Sequence, residues 1–129
     1  MDQGSFELII KTFILSKVTI WIKAARLRTL PLSLSGIIVG SSIAASQNAF
    51  DMVIFVLALC TTVGFQIISN FANDYGDGMK GTDNKDRIGP ERALQSGEIS
   101  PPAMLRAIKI TGLISALLAL ALIYVAFGT

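Results

Sequence analysis

Gln66-Ile-Ile-Ser-Asn70-Phe-Ala-Asn73-Asp74-Tyr-Gly-Asp77-Gly-Met-Lys80-Gly-Thr-Asp83-Asn-Lys-Asp86-Arg87-Ile-Gly-Pro90-Glu-Arg92 decides how the rest of the chain is read. One apolar run feeds into it and another leaves it. On a helix, Gln66, Asn70, Asn73 and Asp77 fall at i, i+4, i+7 and i+11 and share one face, with Asp74 beside that stripe. The C-terminal end of a helix carries partial negative charge, so carboxylates placed there favour a nearby cation. Asp83 and Asp86 follow within reach of a Gly-containing loop, and Lys80, Lys85, Arg87 and Arg92 are interleaved with the acids. Hard oxygen donors beside lysines and arginines suit Mg2+ sharing its coordination with a phosphate-bearing ligand. The competing reading of the same residues is a solvated loop laced with surface ion pairs.

Outward from this stretch the chain is strongly apolar. Its 129 residues are 52% hydrophobic with mean hydropathy +0.62, which points to a membrane protein. A net charge of +2, with no basic tract interleaved with aromatics, gives no footprint for nucleic acid. The absence of His and the presence of one Cys exclude His-based acid–base chemistry and Cys/His zinc sites. Cys60 lies in an apolar run and reads as a small buried hydrophobe. No secretory signal is read, because Asp2 and Glu7 interrupt the first residues and no compact apolar region precedes Lys11.

Residues 6–28 mix apolar positions with Lys11, Lys17, Lys23, Arg26 and Arg28. With Trp21 among them they predict an amphipathic helix on the membrane surface. Residues 30–46, 52–69 and 107–127 are the expected spans, and residues 73–106 the polar connection between the last two. Pro31 fits a helix start, and Pro101-Pro102 another, with Ser100 as N-cap. Gly36-Ile-Ile-Val-Gly40 is a small-xxx-small pair that would admit a close helix. Amides at membrane depth, Gln66 and Asn70, face either an interhelical hydrogen bond or a ligand. Lysines and arginines precede the first span and follow the second, and none lies between them. The positive-inside rule then places the N-terminus and the aspartate loop in the cytoplasm.

Two other motifs fail on context. Gly76-Asp-Gly78-Met-Lys-Gly81 has G-x-G-x-x-G spacing, but a membrane span precedes it where a dinucleotide fold needs a strand. Asp77–Asp83 lacks the alternating oxygens of an EF-hand.

Asn73-Asp74-Tyr75-Gly76-Asp77 resembles the first aspartate-rich motif of the UbiA-type intramembrane aromatic prenyltransferases. The string continues through Gly78-Met-Lys-Gly-Thr-Asp83 and Asp86-Arg-Ile-Gly-Pro90. It is most similar to the branch that prenylates 1,4-dihydroxy-2-naphthoate. Arg92-Ala-Leu-Gln-Ser-Gly97 is similar to a further stretch of that family, and Ala24–Pro31 to the start of its first membrane helix. The general pattern places an Asp four residues beyond Asp77, where this chain has Gly81; the acid stands at Asp83, as in the naphthoate branch.

The resemblance implies an all-α, multi-pass protein of the cell (inner) membrane, folded as part of a UbiA-like helical bundle. It implies Mg2+-dependent transfer of a polyprenyl group from polyprenyl diphosphate to 1,4-dihydroxy-2-naphthoate. Asp74 and Asp77 are the expected catalytic pair and, with Asp83, the metal ligands. Asn70, Asn73, Lys80, Arg87, Arg92 and Arg28 are the candidates for the diphosphate. Family members carry a second aspartate-rich motif in a later half that this sequence lacks. Residues 1–129 therefore read as an N-terminal portion needing a further half, or other copies, for activity. The alternatives are a different UbiA-type aromatic prenyltransferase, a non-enzymatic membrane protein that binds cation or lipid diphosphate, and a transport-associated subunit.

Overall fold

The structure, a computed structural model, describes residues 3–80 and 92–128. Four α-helices follow in chain order: α1 (Gln3–Ala25), α2 (Leu30–Ser46), α3 (Met52–Lys80) and α4 (Pro101–Phe127), with a 3-10 turn at Leu27–Thr29 between the first two. The described residues contain no strand. α3 is the central element: it packs most extensively on α4, then on α2, then on α1.

α3 and α4 are long and apolar enough to cross a membrane, and only 6% of the most apolar window of each is buried within the chain. A core helix of a water-soluble protein would be mostly covered, so these faces are built for a hydrocarbon environment. α2 has the expected bounds, 30–46. Its 17 residues rise about 26 Å, at the short end of what a ~30 Å hydrocarbon core takes.

α1 forms where a surface helix is predicted, but its charge is not gathered on one side. Lys11, Lys17 and Lys23 are six apart, and at about 100° per residue that spacing sends them to three different sides of the helix. Segregation into an apolar and a charged face is therefore weak.

α3 corrects the predicted boundary at residue 73. The helix continues to Lys80, so Asn73, Asp74 and Asp77 stand on helical turns and not in a loop. Gly76 and Gly78 lie inside the helix, which removes any strand–turn–helix reading of the glycine motif. The segment 92–100 folds back on this extension. A Cβ on Gly78 would lie 3.1 Å from Leu94 Cγ, so Leu94 packs directly on the glycine. The start of α3 is capped by Asp51 Oδ1, which accepts from Val53 N–H at 2.7 Å and Ile54 N–H at 3.0 Å.

α4 begins at Pro101, as expected, but the Ser100 hydroxyl makes no cap bond. A capping oxygen accepts from the second or third helical N–H, and Pro102 has none to give. The Ser100 carbonyl instead accepts from Ala103 and Met104, both at 3.0 Å.

Glycine packing also differs from expectation. Gly36 and Gly40 face open space, and the close approach is between α3 and α4, where a Cβ on Gly64 would lie 3.1 Å from Ser115 Cβ. Cys60 is exposed, not buried, on the sparsely covered wall of α3; a thiol there is as well accommodated by lipid as by protein.

The buried core sits at one end of the bundle. Ala24 and Ala25 of α1, Phe71 of α3, Ala93 and Ile99 of the returning segment and Met104 of α4 form it. Trp21 meets Phe71 edge to face at 5.6 Å, a contact worth about 0.5–1.5 kcal/mol beyond area burial. The packed end is the end that carries the aspartates.

Candidate functional site

The polar stripe on α3 is used mostly to hold helices together. Gln66 Oε1 accepts a hydrogen bond from Ser33 Oγ of α2. Asn70, 5% exposed, donates from Nδ2 to the Ala25 carbonyl at 2.8 Å and to Thr29 Oγ1 at 3.3 Å. One turn on, Asp74 is 2% exposed. Asp77 is half-buried and forms an ion pair with Arg92, whose Nη1 also donates to the Asn73 carbonyl at 3.0 Å. Arg92 thus clamps the last turns of α3 through one side-chain and one backbone oxygen.

Asp74 opens into a cleft of about 890 Å3 between the end of α1, the Leu27–Thr29 turn, α3 and the 92–100 segment. Lys23, Arg26, Arg28 and Arg92 line it, opposed by Asp74 and Glu98. Four cations to two carboxylates make a site for an anion of more than one charge, and arginine forks suit phosphate oxygens. Burial of Asp74 among arginines is consistent with the rule that a buried charge is paired.

The sequence-predicted residues therefore divide. Asp74, Arg92 and Arg28 meet in the cleft, and Asp77 reaches it through Arg92. Asn70 does not line it and is engaged with the corner between α1 and α2. Asn73 and Lys80 have exposed side chains outside it. Asp83 and Arg87 lie outside the described residues. Lys23, Arg26, Ser96 and Glu98 were not predicted. Arg26 was accessible to reasoning, because it sits two residues from Arg28 in the Ala24–Pro31 segment. Ser96 and Glu98 carried no signal, since only the fold-back of 92–100 brings them there.

Beside the cleft runs an apolar groove of about 560 Å3, lined by Phe13, Ile14, Val18, Trp21, Ile67 and Phe71 among others, with Lys17 on its wall. Ile22 and Leu27 line both spaces, so the polar cleft and the apolar groove meet at the last turn of α1.

The donor chemistry for a metal is present in part. Asp74 and Asp77, on successive turns of one helix, are hard oxygen donors of the kind Mg2+ takes, and Mg2+ commonly binds one or two carboxylates plus phosphate. Among the described residues no group of three acidic or soft ligands converges. The two carboxylates fit a metal completed by a bound phosphate, not a closed protein cage.

Comparison with known proteins places these residues in a family. The sequence model of the UbiA prenyltransferase family matches residues 33–129. A 1,4-dihydroxy-2-naphthoate octaprenyltransferase of Escherichia coli is 46% identical over 115 residues, covering 89% of this chain and 37% of that protein. A protein of the same description from Haemophilus influenzae is 47% identical over 92 residues, covering 70% of this chain and 30% of that protein. One from Mycobacterium tuberculosis is 40% identical over 87 residues, 67% of this chain and 30% of that protein. The chain thus spans about a third of the length of the curated relatives it matches. No solved structure matches it.

Proposed function

Because this chain belongs to the UbiA prenyltransferase family, we propose that it carries the diphosphate end of a prenyl-transfer site whose acceptor is 1,4-dihydroxy-2-naphthoate. The observation that carries this reading is the junction of a cationic cleft holding buried Asp74 with an apolar groove, at Ile22 and Leu27. A polyprenyl diphosphate is an amphiphile of that shape: a multiply charged head and a long apolar chain. The head lies among Arg26, Arg28 and Arg92, and the chain begins in the groove beside Trp21 and Phe71. Asp74, Asp77 and Asp83 are the residues that would hold Mg2+. When bound, the ion supplies charge neutralisation of the departing diphosphate.

The transfer balances without an added proton. The allylic C–O bond breaks with its electron pair going to diphosphate. The ring carbon that bears the carboxylate forms the new C–C bond. Loss of that carboxylate as carbon dioxide returns an electron pair to the ring and gives the prenylated quinol, demethylmenaquinol, with both ring hydroxyls unoxidised. Cations fixed in the cleft contribute most where charge develops, at the leaving oxygen. This reaction belongs to the assembled protein, in which the remaining length found in the relatives, or further copies, encloses the isoprenoid chain. The N-terminus and the aspartate end face the cytoplasm, by the lysine and arginine distribution.

The test is Mg2+-dependent binding of farnesyl diphosphate to the chain in lipid nanodiscs. Asp74→Asn and Asp77→Asn, which keep size and remove one charge, are expected to weaken binding roughly tenfold each, the worth of one charge-assisted contact. Identical Mg2+ titrations in Asp77→Asn, Asp83→Asn and the unmutated chain would remove the ligand assignment and leave Asp77 as the structural ion-pair partner of Arg92.

A further inference from the structure

The corner between α1 and α2 is built on an unfavourable backbone. Arg26 has φ 51 and ψ 54, the left-handed region that a side chain with a Cβ disfavours. Such a conformation persists where the surroundings over-determine it. Three bonds do so here. Arg26 N–H donates to the Lys23 carbonyl at 3.1 Å, and the Arg26 carbonyl accepts from Thr29 N–H and from the Thr29 hydroxyl, both at 2.9 Å. Asn70 ties this knot to α3: its Nδ2 donates to the Ala25 carbonyl on one side of Arg26 and to Thr29 Oγ1 on the other.

The consequence is geometric. Ending α1 at Ala25 with one left-handed residue turns the chain so that Arg26 and Arg28 both line the cleft that holds Asp74 and Arg92. Asn70 itself is buried and is not part of the cleft wall. Resting on the diphosphate reading of the cleft, we infer that Asn70 is a positioning residue: it pins the α1–α2 corner so that Arg26 and Arg28 meet the diphosphate, and it makes no contact with the diphosphate itself. The amide is suited to the task. A buried side chain with two N–H donors satisfies a helix-end carbonyl and a hydroxyl at once, with no charge to desolvate. Asp in its place would meet the Ala25 carbonyl with acceptors only.

The inference is tested by a mutant cycle read as affinity of the chain in nanodiscs for inorganic diphosphate with Mg2+. Asn70→Ala is expected to raise Kd roughly tenfold, the effect of misplacing one charge-assisted contact. In an Arg26→Ala/Arg28→Ala background the same change should add less than about twofold, because the groups it positions are gone. Equal losses in both backgrounds would make Asn70 a direct contact and overturn the inference while leaving the cleft reading intact. No loss on Asn70→Ala would also overturn it. An unchanged Kd in Arg26→Ala/Arg28→Ala, or no binding by the unmutated chain, would remove the cleft reading and this inference with it. If Asn70→Ala fails to fold, Thr29→Val removes the second leg of the same knot and should show the same non-additivity. Thr29→Ser, which keeps the hydroxyl, should recover the affinity that Thr29→Val loses.

Discussion

Gly64 and Ser115 set how closely α3 and α4 approach. Ser115 is fully buried, and neither its hydroxyl nor that of Thr61 has a hydrogen-bond partner. The contact is one of shape, and small residues at helix crossings in apolar surroundings act through close packing. A methyl group on Gly64 would meet Ser115 Oγ and crowd Ser115 Cβ, so the hydroxyl must turn away or the helices must part. Gly64→Ala is expected to destabilise the chain by about 1–3 kcal/mol. Ser115→Gly in the same chain should recover most of that loss, since it vacates the space the new methyl group needs. Ser115→Ala should be neutral or stabilising, because an unsatisfied buried hydroxyl costs about 1–3 kcal/mol. Thermal or denaturant melts of the three variants in one detergent decide the matter, and a Gly64→Ala chain as stable as the parent would mean that the helices do not meet there. At this scale the site was partly legible. Asp74, Asp77 and Arg92 stood out because charges at the exit of an apolar run demand partners. Gln66 and Asn70 admitted two readings, and hydrogen bonds to Ser33, Ala25 and Thr29 are what the structure gives them. The left-handed turn at Arg26 was not legible, because no Gly or Asn marks it and Asn70, which ties its local bonds to α3, lies far along the chain.

Among the elements, α3 explains most of what sequence pattern missed. Gly76 and Gly78 each cost a helix about 1 kcal/mol relative to Ala, so pattern alone ends the helix before them. Leu94 packed on Gly78 and Arg92 bound to Asp77 and to the Asn73 carbonyl outweigh that propensity, and both partners arrive from 92–100. The bounds of α2 and the start of α4 were legible for the opposite reason: proline and uninterrupted apolar runs act locally. The connection between α2 and α3 has no Lys or Arg, and its short turn closes through Ala49 N–H to the Ala44 carbonyl at 2.8 Å. Orientation follows from that asymmetry. In a Cys60→Ala background, a membrane-impermeant thiol reagent added outside should label Asn48→Cys and leave Gly89→Cys unlabelled. The reverse pattern would invert the topology.

For the whole molecule, the informative feature is where packing is dense. The core formed by Phe71, Ala93, Ile99 and Met104 lies at the aspartate end, while the long walls of α3 and α4 and the glycine face of α2 are open. The chain builds one rigid end that holds Asp74, Arg26, Arg28 and Arg92 together, and leaves apolar faces for lipid or for further helices. Since it spans about a third of the relatives it matches, its site is expected to work only within the longer assembly. Alone in membranes lacking an endogenous enzyme, it should give no prenylated quinol above background, because four helices with open apolar walls cannot keep water from an allylic cation. The most direct measurement joins this chain to the remainder of the Escherichia coli relative, replacing the matching first third, and supplies 1,4-dihydroxy-2-naphthoate, octaprenyl diphosphate and Mg2+. The chimera should form the prenylated quinol, and Asp74→Asn within it should cut turnover at least about 100-fold, the scale on which loss of one electrostatic stabiliser at a reacting centre is felt. Undiminished turnover in the Asp74→Asn chimera would contradict the claim that this cleft is the diphosphate end of a prenyl-transfer site.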